Sequence, residues 1–257
     1  MIRCLFVGLV LLLWACGGGR SERGPATVPA PMSASSALLD SLWRQSEAAV
    51  RHGKWGDAAK MLDRLLLELP PGDSRIARAH FYLGEANYAQ GRHLEAAREF
   101  RKASDETPND PIAPEALLRL GDVYSDLWRR PELDPTYGQT ALATYQELLN
   151  RYPNTAAAKR AQLRMNELNE RFAYKAYKSA LFYFRLKAYD SAILYLKDLV
   201  ASYPKAAIVP EALVKLVQAY KTLGYREDVL ETCGYIQRFH PRTPGAKEVC
   251  PTRPAGA

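Results

Sequence analysis

Residues 77–110 read ARAHFYLGEANYAQGRHLEAAREFRKASDETPND. Leu83-Gly84 precedes a turn at Gly91, and Ala96, Phe100 and Ala103 follow at helical spacing until Pro108. Each feature has a physical reason. Small residues at Gly84 and Ala96 let two antiparallel helices approach closely. Phe100 fills the space between neighbouring hairpins. Pro108 ends the second helix because it cannot continue the hydrogen-bond ladder. The stretch predicts one helical hairpin, and such a hairpin cannot bury its apolar face alone.

The same hairpin recurs on both sides. A first unit, 39–72, carries Ala58, Leu62, Leu65 and Pro70. A third opens with Leu120-Gly121-x2-Tyr124, and its second helix carries Ala141, Tyr145, Leu148 and Pro153. That helix arrives late, so Arg129 to Gly138, with Pro131 and Pro135, must contain an inserted loop. A fourth unit, 173–206, has Tyr183, Ala192, Leu196, Leu199 and Pro204. A fifth, 210–243, has Tyr220, Val229, Cys233, Ile236 and Pro241. Leucine-glycine, alanine-x3-aromatic and a closing proline on a period of about 34 make the tetratricopeptide pattern; Asn87 stands in the tyrosine slot of the second unit. The expected fold is all-α, a right-handed tetratricopeptide-repeat superhelix of five hairpins over 39–243. Thr155 to Phe172 has no proline or glycine, so one long helix should run through it into Lys187.

The chain opens with Arg3 and an apolar run from Leu5 to Ala15, the layout of a secretory signal. The run is about half the roughly 20 residues needed to cross a bilayer. It ends at Leu13-Trp14-Ala15-Cys16, which resembles the bacterial lipobox despite the bulky Trp14. The resemblance implies a signal peptide over 1–15, cleavage before Cys16, and lipidation of that cysteine. Several acyl chains anchor firmly, at about 0.8 kcal/mol per buried methylene. Gly17 rather than aspartate follows, which by the enterobacterial sorting rule implies the outer membrane. Residues 16–38, with Gly17-Gly18-Gly19, Pro25, Pro29 and Pro31, read as a tether with an r.m.s. span of roughly 25 Å. Residues 244–257 read as a C-terminal tail.

The net charge of +7 falls to 7 − 1 = +6 without Arg3. Basic residues alternate with acidic ones along helical faces and no nucleic-acid-reading motif occurs, so a solvated surface is expected rather than nucleic-acid binding. His52, His80, His93 and His240 are scattered, and no metal, nucleophile or phosphate-loop signature appears. No cofactor and no metal is expected, and the reading is not an enzyme. Eight of the 22 Phe and Tyr residues fall between Phe172 and Tyr195. They are either a docking surface or packing between helices, with Tyr177, Phe184 and Tyr195 able to face inward.

The whole arrangement resembles the BamD family of outer-membrane β-barrel assembly lipoproteins. The residues that carry it are the lipobox, the tether, the five units, Asp134-Pro135 before Ala141-x3-Tyr145, and Leu149-Asn150-Arg151-Tyr152-Pro153-Asn154-Thr155. The resemblance covers roughly residues 16–243. It implies a periplasm-facing outer-membrane lipoprotein whose C-terminal repeats dock on the POTRA region of a BamA-like barrel protein. It further implies N-terminal repeats that meet targeting strands of unfolded β-barrel substrates, with other assembly-complex lipoproteins as neighbours. The alternative is a lipoprotein adaptor for type IV pilus secretin assembly or another envelope complex; pilus-type members should lack the delayed helix.

In a repeat superhelix the first helix of each unit lines the concave face. The expected peptide-binding groove holds Trp43 and Glu47, then Arg78, Phe81, Glu85 and Tyr88, then Leu118 and Asp122. Phe81 and Tyr88 lie two turns apart on one face, and Arg78 would donate to a terminal carboxylate. The same residues could instead pack adjacent hairpins. Cys233 and Cys250 either pair, since the segment with Pro244 and Gly245 can fold back, or Cys233 packs as a buried thiol.

Cys16→Ser should leave an uncleaved or soluble product. Fractionation with a high-salt membrane wash checks this, and a cleaved mutant that stays with the membrane would refute the anchor.

Overall fold

A computed structural model describes residues 36–250; Cys16, the signal peptide and most of the expected tether lie outside the described residues. Ten helices pair into five antiparallel hairpins. They are α1 (Ser36–Arg51) with α2 (Trp55–Glu68), α3 (Ile76–Ala89) with α4 (His93–Asp105), α5 (Ala113–Leu127) with α6 (Thr136–Arg151), α7 (Ala156–Arg185) with α8 (Tyr189–Ser202), and α9 (Val209–Leu223) with α10 (Arg226–Phe239). A short α11 (Ala246–Val249) follows. The predicted long helix is α7, with 30 residues, started by the Thr155 side chain accepting from the Ala158 N–H at 3.1 Å. No helix among the described residues is long and apolar enough to cross a membrane.

The hairpins pack because the volumes at one pair of positions compensate. Gly84 on α3 lies against the Phe100 ring of α4, where an added Cβ would sit 2.7 Å from the ring. Gly121 lies against the Tyr145 ring in the same way. Phe100 and Tyr145 are fully buried. Where the second helix carries a smaller side chain, the equivalent first-helix residue is larger. Leu62 goes with Ser46, Leu196 with Ala180, and Cys233 with Val217, all of them buried. Interior packing near crystal density leaves no room for both partners to grow.

The hairpin turns repeat one backbone device. The N–H of Lys54, Arg92, Ala188 and Tyr225 each bonds back to Ala49, Asn87, Tyr183 and Tyr220 at 2.9–3.0 Å. The residue before each donor has positive φ. It is glycine in three turns, and Lys187, at φ 59°, in the fourth.

The third hairpin differs as expected. Its loop, 128–135, lets Trp128 swing under α7, where it is 1% exposed. The indole packs on Phe172 at 4.4 Å and lies beneath the Arg171 guanidinium at 4.5 Å. Gly138 gives the ring space from the other side. Lys175 pins the loop by donating to the Leu133 carbonyl at 2.9 Å.

The tail beyond Pro241 has structure up to Cys250. Between hairpins the backbone makes a pair of turn bonds, such as Ala206 to Tyr203 and Val209 to Ala206, both 3.0 Å. The same pair recurs as Thr243 to His240 and Ala246 to Thr243. Thus the entry to α11 repeats the entry to the first helix of a hairpin. A Cys233–Cys250 disulfide, with Cα atoms 5.6 Å apart, ties α11 to α10. The alternative of a free buried thiol at Cys233 is thereby excluded. Val249 and Ala246 join the core of the last two hairpins, and Lys221 donates to the Val249 carbonyl at 3.1 Å.

Gly121→Ala should lower stability by about 1–3 kcal/mol through overpacking against Tyr145. Gly234→Ala, at a helical position with open space around it, should raise stability by about 0.5–1 kcal/mol. Urea unfolding of both variants separates packing from propensity.

Candidate peptide-binding groove

The first helices α3, α5, α7 and α9 contact one another in sequence, so their outward faces form one inner surface. A polar ladder crosses it. Arg119 on α5 donates to both carboxylate oxygens of Glu85 on α3, at 2.5 and 3.0 Å. Its guanidinium also lies 4.7 Å over the Tyr88 ring. The Tyr88 hydroxyl donates to Asp126. Asp122 accepts from the Tyr145 hydroxyl at 2.7 Å and faces Arg164 of α7 at 3.3 Å and Arg119 at 3.6 Å. Arg160 of α7 pairs with Glu115 of α5.

Burial sets the electrostatics. Asp122 is pushed above the usual aspartate range because desolvation outweighs its donors. The Tyr145 hydroxyl is raised by its own burial and by the adjacent Asp122 charge. Tyr88 is pushed up to about 12, first by its hydrogen bond to Asp126 and then by burial. Desolvation opposes the Arg119 charge, but the Glu85 hydrogen bonds prevail and hold its pKa above the usual value.

The eight sequence-predicted groove residues therefore divide. Glu85, Tyr88 and Asp122 are joined in the ladder and tie three hairpins together. Phe81 is half-buried, tilted on Phe100 at 5.6 Å, and packs against the core of the second and third hairpins. Leu118 does not line the groove. It is 3% exposed inside that same core, because the α5 face that meets α4 and α6 includes it. Trp43 stacks on Tyr82 with ring centroids 5.9 Å apart. Glu47 is half-buried, and Arg78 is exposed with no carboxylate within 4.0 Å among the described residues. Tyr82 was missed by sequence reading, although Arg78, Tyr82 and Glu85 share one helical face at i, i+4 and i+7. Beside Trp43 opens a cavity of about 350 Å³ lined by Asp40, Trp43, Arg44, Asp73, Ser74 and Arg75. Arg75 bridges Asp40 and Asp73 there, at 2.8 and 2.7 Å.

The aromatic cluster of 172–195 is mostly packing. Phe172 and Tyr177 are buried, Tyr183 stacks on Tyr195 at 5.2 Å, and Phe184 meets Tyr189 edge-on at 5.2 Å. Tyr174 and Phe182 remain exposed. His80 is a packing residue, with Nδ1 2.7 Å from Glu99. Among the described residues no three His, Cys, Asp or Glu side chains are placed to hold a metal.

The family described as outer membrane lipoprotein, YfiO, matches residues 37–233. The outer membrane protein assembly factor BamD of Caulobacter vibrioides is 27% identical over 68% of this chain and 57% of its own length. That of Xylella fastidiosa is 26% identical over 84% of this chain and 77% of its own, and that of Neisseria gonorrhoeae is 24% identical over 93% and 91%. This chain thus spans a little over half of the Caulobacter relative. Among solved structures, the tetratricopeptide domain of P58(IPK) covers 83% of this chain and 54% of its own, at 14% identity and a TM-score of 0.45.

Tyr145→Phe removes a donor from buried Asp122 and should cost about 1–3 kcal/mol. Arg78→Ala should stay within about 0.5 kcal/mol of the parent. Denaturant titration of the two variants measures which groove residues hold the fold.

Proposed function

The chain belongs to the YfiO family of outer membrane lipoproteins, and from that premise we propose that it is an assembly factor for outer-membrane β-barrel proteins. It works by holding polypeptides and performs no catalysis. It is anchored through a lipid on Cys16 at the periplasmic face of the outer membrane. The Cys233–Cys250 disulfide suits an oxidising compartment of that kind. In this reading the repeats dock a BamA-like barrel protein through its POTRA region, beside other lipoproteins of the machinery. The N-terminal part of the inner face receives the targeting strand of an unfolded barrel substrate.

One observation carries the substrate reading. Trp43 stacks on Tyr82, and Arg78, one helical turn before Tyr82, is exposed with no carboxylate within 4.0 Å among the described residues. Flat apolar surface accepts aromatic side chains of an extended strand, and a free guanidinium accepts a terminal carboxylate bidentately. The neighbouring charges of Glu85 and Asp122 are already neutralised by arginines, so they do not repel that carboxylate. The alternative of a pilus-secretin adaptor finds no support in relatives that are outer membrane protein assembly factors.

The test has two arms. The tagged native protein, purified from detergent-solubilised membrane, should bring down a BamA-like barrel. A C-terminal barrel peptide should bind the purified protein, and Arg78→Ala should weaken it about tenfold. Loss of neither barrel nor peptide affinity in correctly folded Arg78→Ala would reject the carboxylate contact. Absence of the barrel from the pull-down would reject the assembly role.

A further inference from the structure

The inner surface changes character along α7. In its N-terminal half Arg160 pairs with Glu115 and Arg164 with Asp122 and Glu167, while Lys159 has no carboxylate within 4.0 Å among the described residues. Glu170, the helix's other carboxylate, is taken by the Ala207 N–H at 2.9 Å. From Arg171 onward the helix carries Arg171, Lys175, Lys178 and Arg185 and no acidic residue. None of these four has a carboxylate within 4.0 Å among the described residues. Arg171 and Lys175 reach carbonyls of Ser125 and Leu133. Lys178 rests 5.6 Å over the Tyr174 ring.

The cause lies in the next first helix. The α5 sequence Pro114-Glu115-Ala116 is matched in register by Pro210-Glu211-Ala212 on α9. Further along, Arg119 corresponds to Lys215, and Tyr124 to Tyr220. Where α5 has Asp122 and Asp126, α9 has Gln218 and Thr222. The acidic half of the ladder is therefore missing in the last two repeats. Glu211 keeps its place but accepts from the Tyr177 hydroxyl at 2.6 Å, and Lys215 turns to Gln218 at 3.1 Å and to the Phe184 ring.

Contacts on both flanks fix which α7 side chains face the open groove. Arg164, Arg171 and Lys175 reach the α5 side, while Tyr177 and Phe184 reach the α9 side. Helical spacing puts Tyr174, Lys178 and Arg185 between these flanks, away from the buried Leu168, Phe172 and Ala180. Tyr174 is 40% exposed and neighbouring Phe182 49%. Both stay exposed although α9 lies alongside, where it reaches Tyr177 and Phe184.

We propose that this face, with Tyr174, Lys178, Phe182 and Arg185, binds an extended acidic peptide segment carrying aromatic or bulky apolar side chains. The occupant supplies the carboxylates that α9 lacks. A concave helical surface admits a chain more readily than a planar membrane. Lys178 and Arg185 are seven residues apart, about 10 Å along the helix. An extended peptide advances about 3.3 Å per residue, so acidic residues three apart fit both cations. The inference rests on the reading of the inner face as a polypeptide-holding surface and assigns a second, acid-selective segment to it.

The probe is a fluorescent peptide with two Glu three residues apart among Phe and Leu, compared with its Gln counterpart by anisotropy on the full mature protein. The Glu peptide should bind about tenfold more tightly, with an advantage that shrinks as salt rises. Lys178→Glu with Arg185→Glu should abolish that preference, and thermal melting should be unchanged because both side chains are exposed. Gln218→Glu with Thr222→Asp should also reduce it by restoring the internal ladder. Equal affinity for the two peptides, or a preference that survives charge reversal, overturns the proposal. So does retention on phosphatidylglycerol vesicles without peptide binding. Arg78→Ala should leave the preference intact. If that variant alone removes it, the peptide sits in the N-terminal groove, which defeats this proposal and leaves the assembly role standing.

Discussion

The fold depends on one steric bargain repeated five times. Two antiparallel helices come close only if one of them gives up side-chain volume at the point where the other inserts a large residue. Gly84 with Phe100 and Gly121 with Tyr145 are the extreme cases. Ala180 with Leu196, Ser46 with Leu62 and Val217 with Cys233 are graded versions of it. Once this distance is set, the remaining apolar residues of each helix fall onto the next hairpin. Stacking then follows, because no hairpin has enough apolar face to stand alone.

Close stacking also brings the first helices into register, and register turns separate charges into a ladder. Glu85, Arg119, Asp122 and Arg164 come from three helices. Glu85, Arg119 and Asp122 are half-shielded from water, so their pairing matters more than that of an exposed ion pair. The ladder stiffens the middle of the stack and cancels its charge. The same geometry continues into the last repeats with the carboxylates replaced by Gln218 and Thr222. There Lys178 and Arg185 are left to solvent.

A stack of repeats has two ends whose apolar faces need cover. At the C-terminal end the cover is α11, a single turn that reproduces the entry of another repeat. One turn is too short to be stable as a helix on its own. The Cys233–Cys250 link ties that turn to α10. Closing so short a loop is worth about 3 kcal/mol in the chain-entropy picture.

The sequence by itself determined the hairpins, their number, the inserted loop after the third first-helix and the long α7. These follow from local rules: spacing of small and large residues, glycine at turns, proline at ends. It also carried the register of Pro114-Glu115 with Pro210-Glu211, which becomes meaningful only when the helices lie side by side. Only the tertiary structure decided which inner-face residues are free. Leu118 looks groove-facing by counting along α5, yet the second hairpin covers it. Glu85, Tyr88 and Asp122 look available, yet Arg119 and Arg164 arrive from other helices to occupy them. Trp128, just before the inserted loop, is core, packed on Phe172 beneath Arg171. Whether Cys233 is a thiol or half of a disulfide likewise depended on where one turn of backbone came to rest. Local rules fix what a segment becomes; pairing between segments far apart in the chain fixes which of its side chains remain to bind anything.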